Sequence, residues 1–528
     1  MENKVRELEN INSKKNMESF IEEFRVVASN HRNNQTIFAI IDRAIQKCKY
    51  LSDQKSLVKL YEIKISQIEH SHKNFQAVLE LVSQMKKVSK KINYTGGLAL
   101  AYNVEWYIEK YKGNKEKSKK ALDYSMKCIS QNVNVEEYDY YACNYSFAIE
   151  SWLTKHDKTS SVILEKCADY FLQKGYYRSL ALALGVLIII YQQTQNKEKS
   201  LDFIKKILNN HNLLNKMPEE IQSIIHFFIG FNHELSFNLK EAEKQLLETQ
   251  RMLGSIYRKS IYSGYYLTAL SYLTSTYALQ GKLELSLKQM KEVEKLIEEG
   301  IATKNLDSFS KEQMVHIFNL TKFYIHSRLQ NFLIKDLKEL VHTIHENIDK
   351  YHSNAMFFSE FLLNANLTKE QLIEIKNLNN PSTKRVEHII NFLIAKITHA
   401  DEKDIMRFIS KLKVRTVDYR MTFVEKAFAD LLAAQEYYKL NRFAEIYPLL
   451  KKYENNLHKI EVLEMRVFME AFIQVGAYKN GDPLGPALQY LAIKKCRQYG
   501  FSKLEFTLLN YLDLQGKDTL DVISINRY

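Results

Sequence analysis

The sequence predicts an all-α fold, an α-solenoid of antiparallel helical hairpins, and three observations predict it. Only 15 glycines and 5 prolines stand among 528 residues. That is too few for the turns of a sandwich or barrel, so most of the chain is helix with short connections. Apolar residues recur at helical spacing in helix-length stripes. The stripes come in pairs split by one short turn, and the pair repeats along the chain.

Residues 1–54 are read as an N-terminal helical cap with a short disordered start. The first hairpin lies in LYEIKISQIEHSHKNFQAVLELVSQM, with Ile65, Phe75, Val78 and Val82 on its apolar faces. From Leu184 to Leu208, the first stripe is Leu184, Leu187 and Tyr191, the turn falls near Asn196, and Ser200 is a small residue on the second helix. The next hairpin carries Gly230, Leu239, Ala242 and Leu246. In LSYLTSTYALQGKLELSLKQMKEV, the residues Leu270, Leu273 and Tyr277 face one way, Gly281 ends the helix in a left-handed cap, and Leu283, Leu287, Met290 and Val293 form the second face around Ser286. Later pairs carry Tyr437, Phe443 and Leu450, and then Asp482 as N-cap, Pro483 and Tyr490.

Val78, Ala121, Ser161, Ser200, Ala242, Ser286, Asp336, Ile405, Ile446 and Pro486 mark the central position of each second helix, and most intervals are 39 to 44 residues. Two longer gaps place an inserted helix or linker at 346–389, around Asn377 to Arg385. The expected organisation is therefore a solenoid over 55–345, that linker, and C-terminal repeats with a capping helix over 390–528. A lone hairpin cannot bury both its faces, so the hairpins must stack.

The five cysteines form no C-x-x-C pair and read as reduced thiols. The start of the chain has no apolar signal region, and the longest apolar run, Leu180 to Tyr191, has 12 residues, too few to span a bilayer. A cytoplasmic protein without a membrane partner is expected. Phosphate-binding, dinucleotide-binding and nucleophile-elbow motifs are absent from the sequence. His342, His345 and His352 form the densest histidine group, yet their spacing is neither H-E-x-x-H nor its inverse. His70 and His72 sit at a turn. The reading is a non-enzyme with no cofactor and no metal.

Charge is more informative. Net charge is +13, and between residues 86 and 120 ten lysines face three glutamates. Lys86, Lys87, Lys90, Lys91, Lys112, Lys115, Lys117, Lys119 and Lys120 form a candidate nucleic-acid face, against the blander reading of a solvated outer surface. Nucleic acid is thus the second partner class.

The grammar of Leu270, Leu273, Tyr277, Gly281, Leu283, Ser286 and Met290, and of Gly230, Leu239, Ala242 and Leu246, resembles the tetratricopeptide repeat family. The resemblance covers roughly residues 55–345 and 390–515. It departs from the family in a period of about 40, where 34 is usual, and in the near absence of the closing proline. Longer helices of this kind are similar to Rap-type peptide receptors and to the sensor solenoids of signal-transducing ATPases. The resemblance implies a right-handed superhelix whose first helices line a concave groove. By register, the groove would present Asn103, Tyr107, Glu150, Gln192, Gln193, Phe227, Phe228, Phe231, Tyr272, Ser275, Lys322, Arg328, Gln435 and Tyr438. Aromatic, amide and cationic side chains of this kind suit an extended protein or peptide segment. The expected function is that of a regulatory or assembly scaffold.

Overall fold

The computed structural model describes residues 2–299 apart from 32–33, 69–74, 131–134, 156, 194–196, 209–210 and 256–262, then parts of 314–325 and 401–410, most of 423–499 and a few scattered positions. The described residues contain no strand. In chain order the helices are α1 (Glu2–Glu9), α2 (Lys14–Asn30), α3 (Gln35–Tyr50), α4 (Gln54–Gln67), α5 (Phe75–Lys91), α6 (Thr95–Tyr111), α7 (Lys115–Ser130), α8 (Glu137–Lys155), α9 (Thr159–Lys174), α10 (Tyr177–Gln193), α11 (Lys197–Leu208), α12 (His211–Leu214), α13 (Glu219–Leu235), α14 (Leu239–Gly254), α15 (Ser263–Leu279) and α16 (Leu283–Glu298). Further on come α17 (Phe423–Lys439), α18 (Ile446–Glu454), α19 (Leu463–Lys479) and α20 (Gly485–Gln498). A helix already begins at Glu2, so the expected disordered start is replaced by α1.

Consecutive helices pack together through much of the chain, and several alternate helices also touch. Thus α4 meets α6, α6 meets α8, α8 meets α10, and α17 meets α19. This is the layered packing of a solenoid. The chain forms two compact units, one of residues 1–232, 245–269 and 296–311, the other of 233–244, 270–295 and 312–528. The linker expected at 346–389 lies almost wholly outside the described residues.

The repeat is written most plainly in its turns. Gly113, Phe237, Gly281, Asn441 and Gly481 each end a first helix with positive φ, between 57° and 93°. At all five the N–H of the next residue reaches back to the carbonyl five positions earlier, as in Lys282 to Tyr277 and Asn114 to Glu109. This left-handed cap satisfies carbonyls that the helix end leaves open. Five residues beyond the cap stands a buried position, occupied by Ser118, Ala242, Ser286 and Ile446. Two of these serines donate to the facing helix, Ser118 to the Trp106 carbonyl at 3.3 Å and Ser286 to that of Thr274 at 2.8 Å. Small polar residues let the two helices approach, and at Ser118 and Ser286 the facing carbonyl pairs the buried hydroxyl.

Most marker positions read from the sequence are buried, including Val78, Ser200, Ala242, Ser286, Ile405 and Ile446. Two were misaligned. Ser160 is buried where Ser161 was expected, and Ser118 holds the turn register where Ala121, one helical turn later and also buried, was expected. Asp336 lies outside the described residues. The five cysteines are free thiols, four of them buried, and among the described residues no helix is long and apolar enough to cross a membrane.

Candidate functional site

In the first unit, α2 packs on α4 and α10 as well as on its neighbours α1 and α3. Its apolar face is Met17, Phe20, Ile21, Phe24 and Ala28, and in the middle of that face stands Arg25. Arg25 is 1% exposed. Its guanidinium carbon lies 4.3 Å from the centre of the Tyr138 ring at the start of α8. Nε is 3.4 Å from Glu62 of α4 and a second nitrogen is 3.7 Å from Glu22. None of its three nitrogens reaches a well-formed hydrogen bond among the described residues.

Around Arg25 the body of α4 meets the starts of α6 and α8. Tyr138 donates its hydroxyl to Glu62 at 3.1 Å. Tyr94, just before α6, donates to Asp139 of α8 at 2.6 Å. That carboxylate comes so close to α6 that a side chain on Gly96 would stand 2.0 Å from its oxygen, so only glycine fits there. Lys59 of α4, 2% exposed, bridges Glu22 of α2 at 2.7 Å and Glu136 at 2.8 Å. Lys55 joins Glu136 at 2.6 Å and Glu18 at 3.4 Å. The end of α2 is held as well. Gln67 donates to the Ala28 carbonyl at 2.6 Å, while the Asn30 side chain donates to the Gly175 carbonyl at 2.8 Å and accepts from the Arg178 N–H.

Burial sets the electrostatics. It pushes Asp139 up to about 6, against the pull of Arg25 and the Tyr94 hydrogen bond. It also raises Glu62 despite Arg25 beside it. Burial works the same way on Glu136, but hydrogen bonds and charge from Lys55 and Lys59 outweigh it, so this carboxylate is lowered. The cluster holds α2 in place, with three cations (Arg25, Lys55 and Lys59) set among five carboxyl groups (Glu18, Glu22, Glu62, Glu136 and Asp139). Among the described residues no group of three or more His, Cys, Asp and Glu could hold a metal ion. The histidines at 70, 72, 342, 345 and 352 lie outside the described set.

The expected aromatic groove is corrected. Phe227, Phe228 and Phe231 are buried, and the Phe228 ring fills the space above Gly185, where an added Cβ would stand 2.2 Å from it. Tyr272, Ser275 and Tyr438 are buried too, with Ser275 donating to buried Glu234 at 2.9 Å. The physical reason is that these apolar rings and small residues fill the space between packed hairpins, so one helix face was read for another. Asn103, Tyr107 and Gln435 are half-buried. Glu150 is paired with Lys110, and Lys322 lies 3.5 Å from Glu294. Arg328 and the side chains of Gln192 and Gln193 lie outside the described residues.

The lysines of the expected basic face fall into two groups. Lys87, Lys90, Lys91, Lys115, Lys117, Lys119 and Lys120 are exposed. Lys86 pairs with Glu105 at 2.6 Å and lies over the Tyr102 ring, and Lys112 is near Glu109. Because α5 and α6 run antiparallel, the α5 lysines and the α7 lysines sit at opposite ends of α6, about 25 Å apart for a helix of that length. Tyr102 stacks on exposed Tyr124 of α7 with centroids 5.3 Å apart.

Neither a known protein family nor a curated protein matches this chain. The Arg25 cluster was missed in the sequence, although one signal was present: an arginine in register with an apolar stripe (Met17, Phe20, Ile21, Phe24, Ala28) is costly unless something charged meets it.

Proposed function

We propose that this chain is a non-enzymatic helical-repeat scaffold or receptor of tetratricopeptide-like type that binds a protein or peptide segment. Its role would be regulatory or in assembly. The observation that carries the reading is the way α4, α8 and α10 receive α2: an apolar seat, charge pairs at fixed positions, and the Gln67 amide on a carbonyl of the last turn of α2. Stacked hairpins present such a surface without needing a catalytic group. The free thiols suit a reducing compartment such as the cytosol. Cross-linking of the purified complex from native cells tests it. Nuclease-resistant cross-links between a protein partner and the first-helix layer are expected. A complex dissolved by nuclease and cross-linked through the α5 and α7 lysines would sink it. That outcome would favour the second reading, a nucleic-acid contact, which rests on exposed lysines flanking the Tyr102–Tyr124 stack.

A further inference from the structure

We infer that residues 460–464 are an acid-sensitive clasp within the second unit: they tie the turns of the α13–α14 and α15–α16 hairpins to α19, and the neutral form of His233 keeps the tie fastened. Every residue of the clasp belongs to that one unit. The inference goes beyond the protein-binding reading and stands without it.

Ile460 and Val462 have extended backbones and are fully buried. Alternate side chains of an extended run point opposite ways, which turns Glu461 toward α14. Its carboxylate accepts the Lys240 N–H at 2.8 Å, from 221 positions along the chain. That N–H is one of those a helix start leaves open, and a carboxylate there also meets the positive end of the helix dipole. Leu463, the first residue of α19, sits on the left-handed Gly281 turn, where an added Cβ would stand 2.2 Å from its methyl. Glu464, also buried, accepts the Tyr324 hydroxyl at 2.8 Å. The two turns are joined to each other as well, through Lys282 and Glu243 at 2.7 Å.

The acid sensitivity follows from how α14 is capped. Asn238 stands directly before that helix and is a residue type that caps well. Its side-chain amide donates instead to Nδ1 of buried His233 at 3.1 Å, and Glu461 meets the first turn in its place. A ring nitrogen accepts only in neutral imidazole, because both nitrogens of an imidazolium carry protons. Burial holds His233 below its ordinary 6.5, against the pull of Glu241 of α14 and of Glu461, the charged groups that face it among the described residues. Below pH 6.5 an exposed histidine therefore takes up a proton that the fastened clasp does not bind. The contribution of His233 is fully present above that value and is lost as pH falls from it.

Native-state hydrogen exchange of the full-length chain, corrected for the intrinsic effect of pH on exchange, reads the clasp locally. A local reading is needed because Asp139, in the other unit, acts on overall stability with the opposite sign. Protection of the first turn of α14, the Gly281 turn and residues 460–464 should fall as pH goes from 7 to 5.5, by up to about tenfold per pH unit below 6.5. Protection of α2 to α10 should not follow it down. His233→Gln keeps a neutral partner for Asn238 and should remove this pH dependence. Glu461→Gln keeps an acceptor for Lys240 but removes a charge that supports the imidazolium, so the loss on acidification should become steeper. Leu463→Ala should lower protection at the Gly281 turn as well as at the start of α19. Unchanged protection of these segments across that pH range overturns the inference, and so does a loss shared equally by the whole chain. A pH dependence that persists unaltered in His233→Gln overturns it too; if that variant does not fold, a slope in Glu461→Gln equal to that of wild type does the same. An effect of Leu463→Ala confined to α19 would show that the segment holds no turn but its own.

Discussion

Asp139 carries the sharpest consequence at the scale of one residue. Its ordinary value is 3.8, and burial in the folded protein pushes it up to about 6. The folded state therefore holds an extra proton between those values, so stability rises as pH falls from 6 toward 4 and ionised Asp139 costs stability above 6. The groups facing it are Arg25 from α2, Lys59 and Glu62 from α4, Tyr94 before α6, and Glu136 on its own segment. Asp139→Asn keeps an acceptor for Tyr94 and removes the titration. It should raise the melting temperature at neutral pH and flatten its pH dependence between 4 and 7, both read by circular dichroism; an unchanged slope would place the titration elsewhere. Phe228 gives a second expectation. Its ring fills the space over Gly185, so Phe228→Ala should cost about 3–5 kcal/mol in denaturant unfolding. A loss of partner capture with unchanged stability would instead return it to a surface. Of the site, the sequence displayed Arg25 within its apolar stripe. It could not display Glu62, Tyr138 and Asp139 around it, because those come together only when α4 and the start of α8 pack against α2.

Hairpins are the scale at which the sequence was most legible. Helical stripes and the Gly281 cap follow from local chemistry, and both are present with the expected left-handed turn. The register elsewhere was harder to read because Phe237 and Asn441 hold the same cap with φ of 58° and 57°. A phenylalanine in that conformation has no sequence signal. Gly113 and Gly281 make a matched pair that separates two causes. Both have φ near 80°, but an added Cβ at Gly113 meets nothing within 4 Å, whereas at Gly281 it would stand 2.2 Å from a methyl of Leu463. Gly113→Ala should therefore cost only the left-handed penalty, about 1–2 kcal/mol. Gly281→Ala should cost distinctly more, as measured by chemical unfolding of the two variants. Equal losses would mean that Leu463 moves aside without cost.

For the whole molecule the open issue is what the net charge of +13 attracts. Long-range attraction depends on how charge is arranged in space more than on its run along the sequence. The run from Lys86 to Lys120 looked like one face because sequence distance hides the reversal of direction between α5 and α6. In space it is two smaller groups, and Lys86 is already engaged by Glu105. A duplex contact releases one counterion for each phosphate neutralised, so a site of that kind needs many cations along one track. The α7 group has four exposed lysines (Lys115, Lys117, Lys119 and Lys120) with Glu116 among them, which is short of such a track. The expectation is that Lys115→Glu, Lys117→Glu, Lys119→Glu and Lys120→Glu together leave the fold intact. Wild type and variant should then be retained alike, and weakly, on heparin and on single- and double-stranded oligonucleotides at physiological salt. The contrary result is specific. If wild type binds a single strand with an affinity that falls steeply with salt, reversing four contacting lysines should lower the slope by about 3, since each contact contributes about 0.7. A drop of that size, with melting unchanged, would make α7 and the Tyr102–Tyr124 stack the functional surface and displace the protein-binding reading.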